Sequence, residues 1–256
     1  MSNYNINPNN NNYNFNNRNT SINNLQGTSV TDTRSLFASV FLWMFIALGI
    51  TTLCSTIFAY NESLKDILYT VDAMGRGRVS VLGWIIMLAP LGLVLLMSFA
   101  FNKLSFPALI SIFFAYSALV GISLSSIFML YDIGSIVVVF GSTCALFGVM
   151  AIAGYTTKAD LTKMGSILTI GLIGIVIASL INIFAKSGTM DFIISIIGVI
   201  IFTGLTAYDT QKIKNLAAQN DGSSDFKKLA VMGALSLYLD FINLFMMLLR
   251  LFGRRD

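Results

Sequence analysis

Seven stretches of this chain run for about twenty residues or more with hardly a charge in them: 36–60, 79–101, 104–130, 133–154, 164–185, 190–211 and 229–252. About 20 apolar residues in a helix cross the hydrocarbon of a bilayer. Lipid offers no partner to backbone N–H and C=O groups, so a crossing segment must satisfy its own. Runs this long and continuously apolar lack the in–out alternation of barrel strands. The pattern predicts an all-α polytopic membrane protein, a seven-transmembrane-helix bundle forming one domain over residues 32–256 in contact with the lipid bilayer. Composition agrees, with 55% hydrophobic and 11% charged residues where soluble domains carry about 25% charge.

Residues 1–31 are dominated by Asn, as in Asn9-Asn10-Asn11-Asn12. Such a segment buries too little apolar surface to offset the entropy of ordering, and reads as a disordered N-terminal tail. It has no charged start and short apolar core of a secretory signal, so insertion is expected to begin with the first spanning helix.

The 16 Lys and Arg against 12 acids would suggest a nucleic-acid partner in a soluble protein. Here they lie mainly in tails and loops and report topology, and no nucleic acid is expected. Nine of them, Arg18, Arg34, Lys103, Lys158, Lys163, Lys212, Lys214, Lys227 and Lys228, fall on the N-terminal side, against Lys65, Arg76, Arg78 and Lys186 opposite. That bias places the N-terminus in the cytoplasm. Seven full crossings put Arg254 and Arg255 outside, against the rule, whereas a re-entrant last segment would return them; the length of 229–252 favours seven crossings.

The loop over 61–78 mixes both charges with Ile67, Leu68, Tyr69 and Val71, and is expected to lie at the interface. The links at 102–103 and 131–132 force antiparallel hairpins. Pro107 suits a first helical turn, whereas Pro90, beside Gly92 in mid-segment, predicts a packing bend. Gly141, Gly148, Gly154, Gly171, Gly174, Gly198 and Gly204 argue for close helix approach. Cys54 and Cys144 lie inside apolar stretches and read as small hydrophobes. The chain has no histidine, so any pH response must come from carboxylates.

Two such carboxylates, Asp209 and Asp240, sit within the last two apolar stretches. An ionised carboxylate in hydrocarbon is costly, and is retained where a pathway, a partner or a proton needs it. The plainer alternative is a structural carboxylate hydrogen-bonded between helices. The two helices are joined by a short loop and should be antiparallel neighbours, with Asp209 able to meet Asp240 if its helix continues past Gln211. Two carboxylates in a low dielectric cannot both ionise cheaply, so the pair would share a proton and titrate as a unit. It could also attract Ca²⁺ transiently, although two carboxylates are too few for a tight metal site. No resident cofactor is expected. Arg250, ten residues beyond Asp240, either snorkels to the interface or closes an outer mouth by pairing with Asp191 or Asp132.

The strings Gly204-Leu205-Thr206-Ala207-Tyr208-Asp209-Thr210-Gln211-Lys212-Ile213-Lys214 and Ala234-Leu235-Ser236-Leu237-Tyr238-Leu239-Asp240-Phe241-Ile242-Asn243-Leu244-Phe245 closely resemble the Bax inhibitor-1 family, also called the transmembrane BAX inhibitor motif family. The stretch Gly154-Tyr155-Thr156-Thr157-Lys158-Ala159-Asp160-Leu161-Thr162-Lys163 is similar to its bacterial YccA/YbhL-type branch. The match covers about residues 30–253. The resemblance implies a seven-helix bundle with the last helix at its centre, in the bacterial inner membrane, working as a pH-sensitive Ca²⁺ leak channel in calcium homeostasis and stress protection. Its gating aspartate pair carries over onto Asp209 and Asp240, with Tyr208, Asn243 and Arg250 as candidate gating or supporting residues. In the family's bacterial form an arginine near the end of helix two latches one aspartate in the closed state; it has no counterpart here, where Phe101, Asn102 and Lys103 stand, and a lysine lacks the planar fork of arginine.

The same resemblance allows a second role, a membrane interaction protein that modulates a membrane-bound ATP-dependent protease or other membrane proteins. A third reading, an intramembrane aspartyl protease, finds Tyr208-Asp209 but not the Gly-x-Gly-Asp context at Asp240, and Pro107-Ala108-Leu109 precedes both aspartates instead of following them. No nucleotide loop, zinc spacing or nucleophilic triad is present, so no enzyme activity is expected.

Overall fold

The computed structural model describes residues 12–71, 77–219 and 224–255. Among the described residues, nine helices and one hairpin follow in order: α1 Asn12–Tyr60, α2 Glu62–Leu68, β1 Tyr69–Val71, β2 Gly77–Val79, α3 Val81–Phe99, α4 Phe106–Leu124, α5 Ile127–Leu130, α6 Ile133–Thr156, α7 Thr162–Ala185, α8 Gly188–Ala217 and α9 Ser224–Phe252. Seven helical segments among them are long and apolar enough to cross a membrane, the last being Asp225–Phe252.

Helix α1 starts at Asn12, so its backbone takes in residues 12–31 of the Asn-rich stretch for which composition predicts a disordered tail. Extending a helix that the first span has already nucleated needs no second nucleus. Residues 1–11 of that stretch lie outside the described residues.

Polar residues at the links start the helices. Ser80, Ser105, Asp132 and Ser187 are N-caps whose side-chain oxygens accept from the N–H three residues on, supplying partners for groups that lack them inside the helix. Pro107 occupies the first turn of α4, and α3 runs unbroken through Pro90.

The segment expected as an interfacial loop over 61–78 is more ordered than a loop. It forms α2, capped by Asn61, and an antiparallel hairpin in which Tyr69 pairs with Val79 and Thr70 with Arg78; residues 72–76 lie outside the described residues. Leu68 is buried, and Ser80 ties back to it through its N–H, 2.8 Å from the Leu68 carbonyl.

Helix α9 occupies the centre, packed against α8, α1, α6 and α4. Its spanning window is 61% buried, against 6% for α7 and 11% for α3. The outer helices turn residues such as Phe99, Phe184 and Val81 outward, an arrangement suited to lipid and costly in water. The C-terminal residues lie on the link between α5 and α6: Arg255 bridges to Tyr131, and the Asp132 N–H donates to the Arg254 carbonyl at 3.0 Å. That link stands at the C-terminal end of α9, so α9 runs the 29 residues from Ser224 to the α5–α6 link.

Four of the seven glycines noted above sit at close contacts. A Cβ on Gly154 would collide with the Ala207 carbonyl, and on Gly171, Gly198 or Gly204 with Ile201, Met247 or Leu168. Gly141, Gly148 and Gly174 have nothing within 4 Å, so they do not mediate the packing expected of them.

Candidate functional site

Helices α8 and α9 run antiparallel, and their register is set by three contacts. Gly198 lies against Met247 and Gly233 against Ile213, while Arg250 reaches Asp191. Interpolating between them puts Asp209 level with Ser236, one turn, or about 6 Å, short of Asp240 at 1.5 Å per residue. The continuation of α8 past Gln211 to Ala217 makes this possible.

The two acids have different surroundings. Asp240 is 5% exposed, and its Oδ2 has no hydrogen-bond partner. Asp209 is half-buried and lines a cavity of about 190 Å³ with Lys212, Ile213, Leu216, Leu229, Met232, Gly233 and Ser236. The acids therefore stand one turn apart along the helix pair, Asp240 buried and Asp209 against the cavity. Among the described residues no three His, Cys, Asp or Glu side chains gather as a metal site.

The C-terminal half of α8 is clamped to the α6–α7 link. Gln211 is buried and uses both ends of its amide: Oε1 accepts from the Leu161 N–H at 2.9 Å, and Nε2 donates to the Ala159 carbonyl at 2.8 Å. Lys214 Nζ donates to the Tyr155 carbonyl at 2.6 Å and lies 5.1 Å from that ring's centre. Tyr208, next to Asp209, is half-buried, and a Cβ on Gly165 would strike its ring. In the link itself, hydrogen bonds from Thr162, its side chain first and then its N–H at 2.9 Å, hold the Asp160 carboxyl below the usual carboxylate range. Sequence reasoning gives Lys212 and Lys214 a part only in the topology bias and gives Gln211 no part in the site. A signal existed: Tyr208, Gln211 and Lys214 recur every three residues and so share a face.

Asn243, three residues beyond Asp240, donates to the Leu239 carbonyl of its own helix at 2.8 Å. At the other end of the helix pair, Arg250 meets Asp191, Nη1 to Oδ1 3.3 Å, each side chain 34% exposed. Of the two acids considered for it, Asp132 is instead the cap of α6, accepting from the Ser135 N–H at 2.9 Å. Where the family resemblance calls for a latching arginine, Phe101 lies 5.2 Å below Lys228, which also pairs with Asp225 at 2.8 Å.

Comparison with known proteins agrees along nearly the whole chain. The family model described as inhibitor of apoptosis-promoting Bax1 matches residues 33–256. The inner membrane protein YbhL of Escherichia coli (strain K12) is 45% identical over 224 residues, covering 87% of this chain and 92% of that protein. An uncharacterized protein of Borreliella burgdorferi is 46% identical over 217 residues, 83% of this chain and 90% of the other. The uncharacterized protein RP147 of Rickettsia prowazekii is 44% identical over 173 residues, 68% and 73% of the two chains.

Proposed function

The chain belongs to the Bax inhibitor family, and from that premise we propose that its α8–α9 site carries a pH-sensitive cation leak, chiefly for Ca²⁺, contributing to calcium homeostasis and stress protection. One observation carries the reading: Asp240 is buried with an unpartnered oxygen, one turn from a second carboxylate that lines a cavity. A buried polar atom without a partner costs stability, and a carboxyl kept in that condition in a spanning helix has a proton or an ion to hold.

The stagger supports a two-step path. Asp209 exchanges protons or cations with the cavity, and Asp240 is the dry step behind it. Each proton gained or lost by the pair changes two things: the repulsion between α8 and α9, and the number of anionic oxygens offered to a passing ion. Ca²⁺ takes six to eight oxygen ligands, so a pair of carboxylates suits a passenger rather than a resident metal. The Lys/Arg bias favours a cytoplasmic side for the cavity, and the similarity to the inner membrane protein YbhL of Escherichia coli supports an inner-membrane location.

The test is calcium flux in proteoliposomes across a pH series. Asp240→Asn and Asp209→Asn are each expected to lower flux sharply or to abolish its pH dependence. Unchanged flux with an unchanged pH profile in both rejects the leak.

A second reading rests on α7, which buries only Gly165 and Ile175 along its length. That outward apolar surface suits contact with another membrane protein, such as a membrane-bound ATP-dependent protease. Co-purification of a partner that survives both Asp→Asn changes favours this role.

A further inference from the structure

We infer that Tyr238 is a positioning residue: its hydroxyl, tied to Thr51, fixes the rotation of α9 about its axis so that Asp240 faces α8. The inference rests on the leak proposed above and adds to it the part that holds the acid in place.

Tyr238 is fully buried, and its ring meets Phe113 and Tyr116 edge-on, with centroids 5.8 and 5.7 Å away. Its hydroxyl lies 2.6 Å from Thr51 Oγ1. Thr51 Oγ1 also stands 2.9 Å from the Ser117 carbonyl and 3.0 Å from the Ala47 carbonyl. Carbonyls only accept, and a threonine hydroxyl has one proton. That proton goes to a carbonyl, so Tyr238 must be the donor to Thr51. The chain of hydroxyls runs from α9 to α1, and on to α4 where the Ser117 carbonyl accepts.

Thr51 is a firm anchor, because α1 and α4 are in backbone contact there: a Cβ on Gly121 would collide with the Thr51 carbonyl. Tyr238 and Asp240 are two residues apart, about 200° around a helix of 3.6 residues per turn. A bond that pins Tyr238 toward α1 and α4 therefore turns Asp240 the other way, toward α8. Apolar neighbours such as Leu237, Leu244 and Leu249, all fully buried, hold α9 in the bundle, but apolar contact is non-directional. The Arg250–Asp191 pair is directional but half-exposed, about 15 Å further along the axis. The Tyr238–Thr51 bond sets the angle where the acid sits.

The test uses Tyr238→Phe, which keeps the ring, Thr51→Val, which keeps the shape, and Thr51→Ser, which keeps the hydroxyl. Ser236 lines the cavity and, four residues before Asp240, shares its face. Ser236→Cys is introduced with Cys54 and Cys144 changed to Ser, and its alkylation rate reports how α9 is turned. Ser236 faces the cavity while the tether holds, so Tyr238→Phe and Thr51→Val should each lower that rate about fivefold, the factor one net hydrogen bond provides. Combining them should add nothing further, and Thr51→Ser should restore the parent rate. The loss of flux caused by Asp240→Asn should also shrink in the Tyr238→Phe background. Unchanged alkylation in both single variants overturns the inference, and if Asp240→Asn still lowers parent flux the leak stands without it. If Asp240→Asn and Asp209→Asn both leave parent flux and its pH profile unchanged, the leak falls, and the alkylation rates alone judge the tether. Should Tyr238→Phe not fold, Thr51→Val set against Thr51→Ser decides.

Discussion

Arg250 of α9 pairs with Asp191 of α8, Nη1 to Oδ1 3.3 Å, at the opposite end of the helix pair from Asp209 and its cavity. The same two helices thus carry an open acid at one end and a closed ion pair at the other. Each partner is 34% exposed, so solvent and salt weaken their attraction. A double-mutant cycle of Arg250→Gln and Asp191→Asn, followed by thermal unfolding in detergent, should give a coupling of about 1 kcal/mol or less. It should fall as salt is added. A larger, salt-independent coupling would show a desolvated pair.

The glycines separate into two sets by what a methyl group would meet. Gly154→Ala drives a Cβ into the Ala207 carbonyl, and overpacking of this kind costs about 1–3 kcal/mol. Gly141→Ala and Gly148→Ala enter open space and remove the flexibility of a helical glycine, for a gain of up to about 1 kcal/mol. Melting temperatures in one detergent should fall for the first and hold or rise for the others.

Gln211 joins α8 to the α6–α7 link through both ends of its amide. Gln211→Leu leaves the Leu161 N–H and the Ala159 carbonyl without that partner, at about 1–3 kcal/mol for each group that stays buried. Limited proteolysis should then cut the link over 157–161 faster than in the parent, while cleavage elsewhere is unchanged.

Asp160 supplies a pH dependence outside the membrane. Hydrogen bonds from the Thr162 side chain and then its N–H hold the carboxyl below the usual carboxylate range. The folded state is then the weaker proton binder, so this contact is fully present above the unfolded value of about 3.9 and is lost as pH falls through the lower, folded value. Proteolysis of the link by an acid-active protease should accelerate over that acid window in the parent. In Asp160→Asn that acceleration should be absent.

The number of crossings was legible in the residues because hydrocarbon imposes it locally. Each segment must be long enough and apolar enough to satisfy its own backbone, and the expected stretch 133–154 differs from the observed Ile133–Thr156 by two residues. Asp209 and Asp240 stood out for the same reason, since a charge in an apolar run is visible without neighbours. Their stagger was not visible. Nor was the Asp191 rather than Asp132 partner of Arg250, the clamp of Gln211, or which glycines are packed. These depend on the rotation and register of one helix against another. Helices that are apolar on every face fit lipid and one another alike, so the linear pattern leaves those two variables free. Contacts such as Thr51 with Tyr238, 187 residues apart, set them once the bundle has formed.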